Sequence, residues 1–108
     1  MESKVFSLLG FASKSRNLQT GYNTCVLAIN KNKIKLIILA TDLADNSKEK
    51  MTRLCESRGI KCYEFSTMDQ LSKCTGKSNS GIFGITEPGF AKAIEKEIDL
   101  IQSEKEAE

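Results

Sequence analysis

"KLIILAT", residues 35–41, is a continuous apolar run rich in β-branched residues, and it lies between the polar segments "NKNK" and "DLADNS". A strand of this composition is typical of a sheet that is covered by helices on both faces. The segments on either side of it, residues 21–30 and 46–58, carry apolar residues at helical spacing. The run therefore predicts a central strand of an α/β fold.

The rest of the chain continues this alternation of helices and strands. The predicted helices cover about 4–15, 21–30, 46–58, 67–74 and the segment from 88 onward, and the predicted strands cover 18–20, 35–41, 61–65 and 82–86. This order predicts a three-layer α/β/α sandwich around a mixed sheet of about four strands. We expect one domain over residues 1–101, followed by a polar, frayed tail over residues 102–108.

Residue patterns at the helix ends locate several boundaries. Asn46 and Glu49 have the three-residue spacing of a capping box, and so do Thr67 and Gln70. Pro88 is placed where a first-turn proline belongs. We therefore expect Asn46 and Thr67 to cap the third and fourth helices.

The composition excludes several classes of protein. The 108 residues include no histidine, and the four cysteines form no Cys-x-x-Cys pair, so we expect neither a Ser-His-Asp site nor a structural zinc. The chain has no P-loop and no Gly-x-Gly-x-x-Gly fingerprint, so we expect no cofactor and no enzymatic activity. No apolar run approaches a membrane span, and we see no signal peptide, which predicts a cytoplasmic protein with reduced thiols. Cys25 and Cys55 lie in apolar helical patterns, where we expect them to pack in the core.

The charge is distributed unevenly along the chain. Residues 1–86 contain 13 Lys or Arg and 7 Asp or Glu, a balance of +6, whereas residues 87–108 have a balance of −4. A basic body favours an anionic partner, although this signal alone is weakly specific.

"NLQTGYNTCV", residues 17–26, contains a candidate binding site at the start of the second helix. If that helix begins at Gly21, its free amides and its dipole would attract an anion such as phosphate. Asn23 can pair with a nucleobase edge, and Tyr22 can stack or donate a hydrogen bond. The plainer interpretation is that Thr20 or Asn23 caps the helix and Gly21 makes a turn.

Two further segments follow the same logic. "KCTGKSNSG", residues 73–81, is polar, contains two lysines and leads into a strand, so it would either bind phosphate or form an ordinary surface loop. Asp42 follows the central strand, where it would either line a ligand crevice or cap a neighbouring helix or form a salt bridge.

Residues 20–43, "TGYNTCVLAINKNKIKLIILATDL", resemble the segment that defines the kink-turn RNA-binding ribosomal proteins of the L7Ae type. In that family a Gly-x-Asn-Glu motif opens the second helix, and a buried strand ends in Ala-x-Asp. Gly21 and Asn23 match the motif, and Ala40 and Asp42 match the end of the strand. "KVFSLLGFASKS" and "PGFAKAI" are most similar to the small bacterial, YlxQ-like branch, and the resemblance covers about residues 3–98.

The resemblance implies a non-enzymatic, ribosomal-protein-like monomer that binds ribosomal RNA or another kinked stem, with ribosomal proteins as further partners. In the family, the start of the second helix contacts guanines of tandem sheared G·A pairs, and the loop before the last strand closes over a flipped-out base. Proteins that read RNA target such splayed bases rather than the deep groove of a regular helix. Carried onto this chain, the implied RNA-binding residues are Gly21, Tyr22, Asn23, Thr24, Lys31, Lys77, Ser78, Asn79 and Ser80.

The chain departs from the family's motif at two positions. Thr24 stands where the motif has a glutamate, and Leu27 stands where a lysine is common. Each good base contact is worth about 1–3 kcal/mol, so we expect the RNA ligand to differ from a consensus kink-turn. Cations elsewhere would compensate through phosphates, which adds affinity but no sequence information. The candidates are Lys14, Arg16, Lys31, Lys33 and Lys77.

Two alternatives from other classes stay open at this point. One is a ribosome-associated protein–protein adaptor that has lost specific RNA readout, and the other is an accessory domain of an RNA-modifying enzyme. The salt dependence of binding separates an RNA ligand from a protein partner held by apolar contact.

Overall fold

The predicted strands pair in one mixed sheet in the computed structural model, which describes residues 2–78 and 80–107. The strands are β1 (Leu18–Thr20), β2 (Leu36–Leu39), β3 (Lys61–Glu64) and β4 (Ile82–Ile85). Their order across the sheet is β1-β4-β2-β3. β4 is antiparallel to both of its neighbours, and β2 is parallel to β3. The mixed four-stranded sheet is therefore confirmed, although β3 and β4 are each one residue shorter than predicted and β2 covers only four of the seven predicted residues.

Five helices cover the two faces of this sheet. They are α1 (Glu2–Lys14), α2 (Tyr22–Asn30), α3 (Asp45–Arg58), α4 (Met68–Thr75) and α5 (Pro88–Ala107). Side chains of α1, α4 and α5 pack together on one face, and those of α2 and α3 pack on the other. The predicted three-layer α/β/α sandwich is confirmed.

The central strand β2 contributes to both layers of the core. Leu36 and Ile38 belong to the cluster with α1, α4 and α5, whereas Ile37 and Leu39 belong to the cluster with α2 and α3. All four side chains are at most 1% exposed. Their alternation between two apolar layers explains why this segment of the sequence is continuously apolar.

The predicted cysteine positions are also confirmed for the α2 and α3 helices. Cys25 and Cys55 are fully buried in the second cluster, where they behave as small apolar residues. Burial raises the pKa of the Cys25 thiol to about 12, so this thiol stays protonated at neutral pH.

The predicted N-cap of the third helix is wrong. α3 begins at Asp45 with Ala44 at the N-cap position, and no side chain caps it. The Leu43 amide donates to the Ala40 carbonyl at 3.2 Å, which closes a turn directly after β2. The Leu43 side chain packs against both core clusters. This anchored turn sets the start of α3 ahead of the capping-box pattern at Asn46.

The predicted cap of the fourth helix is confirmed. The Thr67 hydroxyl accepts a hydrogen bond from the Gln70 amide at 3.3 Å, and α4 begins at the next residue, Met68. Pro88 is the first residue of α5, as predicted.

α5 extends through Ala107 and so includes residues 102–107, which the sequence assigned to a polar tail. These residues contain no glycine or proline, and Gln, Glu, Lys and Ala favour helix. Ile94, Ile98 and Ile101 recur at helical spacing along α5 and are buried. Among the helices of the described residues, none has both the length and the apolar character needed to cross a bilayer.

Candidate nucleic-acid interface

α2 begins at a glycine whose backbone conformation excludes most other residues. Gly21 has φ 92° and ψ 154° and occupies the N-cap position, and within residues 2–78 and 80–107 no side chain caps the helix start that follows it. The suggestion that Thr20 or Asn23 caps this helix is therefore wrong. The first amides of a helix have no intrahelical partners, and here they stand at the positive end of the helix dipole.

The start of α2 is tied to the start of β4 by a hydrogen bond. The Gly21 amide donates to the Ile82 carbonyl at 3.0 Å, and Thr20 pairs with Phe83 in the β1–β4 ladder. Ile82 directly follows the loop that connects α4 to β4. The two segments assigned to RNA binding are about 60 residues apart in sequence. The antiparallel β1–β4 pair brings Gly21, in the first segment, beside Ile82, which directly follows the second. We call this place the α2 N-terminal end, defined by residues 21–24 and the described loop residues 77, 78, 80 and 81.

Both ends of the α4–β4 loop are held by the scaffold. At its start, the Lys77 amide donates to the Thr75 hydroxyl at 3.3 Å, and the Ser13 hydroxyl donates to the Thr75 carbonyl at 2.6 Å. At its end, the Ala40 amide donates to the Gly81 carbonyl at 2.9 Å. A Cβ at Gly81 would approach the Leu43 side chain to 2.8 Å, so the loop packs tightly where it joins β4. The scaffold therefore fixes the described residues at both ends of this loop.

Most of the predicted side chains at the α2 N-terminal end are accessible. Tyr22, Asn23, Thr24, Lys77 and Ser78 are all exposed. Two other predicted residues differ: Ser80 is only 8% exposed, and Asn79 lies outside the described residues. Lys31 is the C-cap of α2 and lies at the opposite end of that helix.

Asp42 has a structural partner. Its Oδ1 accepts a hydrogen bond from the Met68 amide at 2.9 Å. This contact satisfies one of the free amides at the start of α4. The interpretation of Asp42 as a helix cap is confirmed.

One face of α2 forms a shallow surface hollow of about 220 Å³. Thr24, Leu27 and Lys31 follow one another along it at helical spacing, and Leu27 is 61% exposed. Gln19 and Lys33 also line it, and sequence reasoning did not assign Gln19 to this surface. The sequence offers a single signal for Gln19, which is a polar residue between Leu18 and Thr20 of the first strand.

The chain matches the family described as "Ribosomal protein L7Ae/L30e/S12e/Gadd45 family" over residues 3–95. It is 28% identical over 96 residues to the RNA-binding protein YlxQ of Enterococcus faecium, covering 89% of this chain and 92% of that protein. It is 26% identical over 89 residues to the RNA-binding protein YlxQ of Bacillus subtilis (strain 168), covering 82% and 89%.

Two solved structures are similar to this fold. A Bacillus halodurans protein of unknown function superposes with a TM-score of 0.86 at 30% identity, covering 89% of this chain and 97% of the other. The Giardia lamblia 15.5kD RNA binding protein superposes with a TM-score of 0.77 at 18% identity, covering 92% and 88%. At that identity the second likeness concerns the fold alone.

Proposed function

The chain belongs to the ribosomal protein L7Ae/L30e/S12e/Gadd45 family, and we propose that it binds a bent or bulged, kink-turn-like RNA at the α2 N-terminal end. The observation that carries this proposal is the hydrogen bond from the Gly21 amide to the Ile82 carbonyl. It joins the uncapped start of a helix to a loop that could close over a base. The YlxQ relatives, which are described as RNA-binding proteins, support the same proposal.

In this proposal the two segments have different tasks. Asn23 and Thr24 contact base edges in the groove beside the kink, where an amide side chain and a hydroxyl both donate and accept. Lys77 and Ser78 contact an unstacked base. Lys31, one helix length away, contacts a phosphate of the adjoining stem.

Thr24 and Leu27 determine how far this ligand departs from a consensus kink-turn. Thr24 has a hydroxyl in place of a carboxylate, so it is a weaker acceptor for guanine amino groups. Leu27 is exposed and uncharged, so it cannot pair with a phosphate. We therefore expect moderate affinity for a consensus kink-turn and higher affinity for another bent RNA in ribosomal RNA.

The test is a binding titration with three RNAs: a consensus kink-turn stem, the same stem with its G·A pairs swapped, and total ribosomal RNA. Wild type should prefer kinked RNA, and Asn23→Ala should weaken binding about tenfold, the size of one base contact. Ser57→Ala is the matched control, because Ser57 is an exposed polar residue near the end of α3 and away from both segments. If Asn23→Ala and Thr24→Ala each leave binding to all three RNAs unchanged, the proposal is wrong.

A further inference from the structure

The end of the sheet opposite the α2 N-terminal end gathers basic residues from several parts of the chain. The Lys33 amide donates to the Ala28 carbonyl at 2.9 Å, which folds the chain back against the end of α2. The Lys35 amide donates to the Ile85 carbonyl at 2.7 Å, which places Lys35 at the start of β2. Both lysines therefore lie where β2 begins and β4 ends.

Two arginines join these lysines from other elements. The Arg58 guanidinium, at the end of α3, donates to the Asn30 side chain at 2.7 Å. Arg58 and Lys35 line the same surface hollow of about 280 Å³. Arg16 precedes Asn17, whose carbonyl accepts from the Thr86 amide at 3.0 Å directly after β4. We call Arg16, Lys33, Lys35 and Arg58 the second basic surface.

These four charges are exposed and lack acidic partners among the described residues. The ion pairs found within the described ranges use Lys4, Lys48, Arg53 and Lys73 instead. Residues 3–41 contain six Lys or Arg and no Asp or Glu, so the chain around Arg16, Lys33 and Lys35 supplies no compensating carboxylate.

Two carboxylates do lie towards this end. The Glu87 carboxylate accepts hydrogen bonds from the Gly89 and Phe90 amides at 2.9 and 2.7 Å, so it is engaged at the start of α5. Glu56 lies in the last turn of α3. Four cations against these two acids leave an excess of positive charge.

Helix dipoles account for only part of this cluster. Cations are favourable at helix C-termini, which explains a basic residue at the end of α3. Lys33 and Lys35 belong to the connection between α2 and β2, beyond the last turn of the helix. Helix stability therefore does not explain the charges of Lys33 and Lys35.

We propose that the second basic surface binds the phosphate backbone of a regular RNA helix, separately from recognition at the α2 N-terminal end. Several exposed cations spaced over one surface suit a row of phosphates, which provides affinity without base readout. This inference extends the proposed function, because it gives the protein a second RNA contact that needs no kink. Lys31, the C-cap of α2, lines the same hollow as Thr24 and Lys33, so this hollow connects the two surfaces.

The test uses an unkinked RNA duplex as the probe and the full chain as the protein. The triple variant K33Q/K35Q/R58Q should weaken duplex binding at least about tenfold at low salt, and it should lower the log–log salt slope by about 2 to 3. The control K50Q/K92Q/K96Q removes the same charge from exposed positions on α3 and α5. Thermal unfolding of both variants checks that the fold is intact.

The outcomes separate this inference from the proposed function. If the control variant weakens duplex binding as much as the triple variant does, only net charge matters and the second surface is rejected. If Asn23→Ala removes duplex binding, a single surface serves both RNAs and the inference is again wrong. If the triple variant alone loses duplex binding while kink discrimination is absent in wild type, the second surface stands and the proposed function fails.

Discussion

The two ends of α2 differ in chemistry although the nine-residue helix separates them by only about 13 Å. The first turn carries Tyr22, Asn23 and Thr24, which are neutral and able to form hydrogen bonds. The residues after the last turn include Lys31 and Lys33. Base contacts specify a sequence and phosphate contacts position a protein, so the difference suggests that selection and attachment are divided between the ends.

The two ends also differ in the reach of their exposed side chains. The backbone is held at both ends, because the amides of Gly21, Lys33 and Lys35 all donate to backbone carbonyls. Lys33 and Lys35 have long, exposed side chains whose charged groups can follow a moving RNA backbone. Asn23 and Thr24 have shorter side chains, so the reach is smaller at the end that would discriminate and larger at the end that would only attract.

The largest expected effect comes from Gly21→Ala, which changes the backbone at the α2 N-terminal end. An alanine at φ 92° and ψ 154° is strained by about 1–3 kcal/mol, although the new Cβ itself meets nothing within 4 Å. We expect chemical denaturation to show that loss of unfolding free energy. Affinity for kinked RNA should fall more than tenfold, while binding to an unkinked duplex is unchanged.

Gly59→Ala is the matched control for this variant. Gly59 has φ 68° at the end of α3, its added Cβ also meets open space, and alanine there costs about 1–2 kcal/mol. Its stability should fall while kink discrimination is retained. If Gly21→Ala weakens binding to kinked and unkinked RNA equally, the two ends of α2 do not have separate tasks.

A second prediction concerns a gain of RNA affinity at the α2 N-terminal end. Thr24→Glu with Leu27→Lys restores the two residues common in the family's motif. The double variant should bind a consensus kink-turn about tenfold more tightly, the equivalent of one additional base contact. A carboxylate is also favourable in the first turn of a helix, so stability should not decrease.

The measurement for the double variant is a titration with the consensus stem and with the G·A-swapped stem. Leu27→Lys alone is the control, since it adds charge without the base contact. If Leu27→Lys alone gains more than the double variant and gains equally on both stems, charge rather than base readout sets affinity at this end.

The smallest expected effect is at Glu87, beside the second basic surface. Hydrogen bonds from the Phe90 and Gly89 amides lower the pKa of this carboxyl below its usual range. Because the pKa of Glu87 is lower in the folded than in the unfolded chain, its ionised form stabilises the fold fully above the unfolded pKa. This stabilisation is lost as the pH falls through the folded pKa. Glu87→Gln should therefore be slightly less stable than wild type at pH 7 and equal to it in acid.

The same variant should bind an unkinked duplex slightly more tightly at low salt, because it removes a negative charge near Lys35 and Arg16. Urea unfolding at neutral and acidic pH measures the first effect, and duplex titration measures the second. A stability difference that persists unchanged in acid would show that the Glu87 charge is not the cause.

Local sequence patterns predicted the order of elements well. The continuous apolar run at 35–41 indicates a strand buried on both faces, and the stripe of Ile94, Ile98 and Ile101 indicates which side of α5 is buried. The cap at Thr67 was also readable, because its partner Gln70 is only three residues away. Apolar periodicity and capping pairs involve residues that are close together in sequence.

The features that the sequence did not predict depend on contacts that local sequence patterns do not encode. The start of α3 is set by the turn between Ala40 and Leu43 and by packing of Leu43 in both layers, which no capping pattern encodes. The pairing of Leu18 with Ile85 decides that the start of α2 meets the α4–β4 loop. The family resemblance anticipated that meeting, whereas periodicity alone did not.

The strand β3, described above as the last in the sheet, has a consequence for how copies of the protein behave at high concentration. An exposed edge strand is a template for strand addition by another copy, which leads to aggregation. β3 has four residues and is bounded by the charged Lys61 and Glu64. Lys48 lies across its end, with its ammonium 3.0 Å from the Glu64 carboxylate and 2.6 Å from the Thr41 carbonyl. A short, charged edge disfavours strand addition at β3 and so opposes aggregation of concentrated copies of the protein through this edge of the sheet.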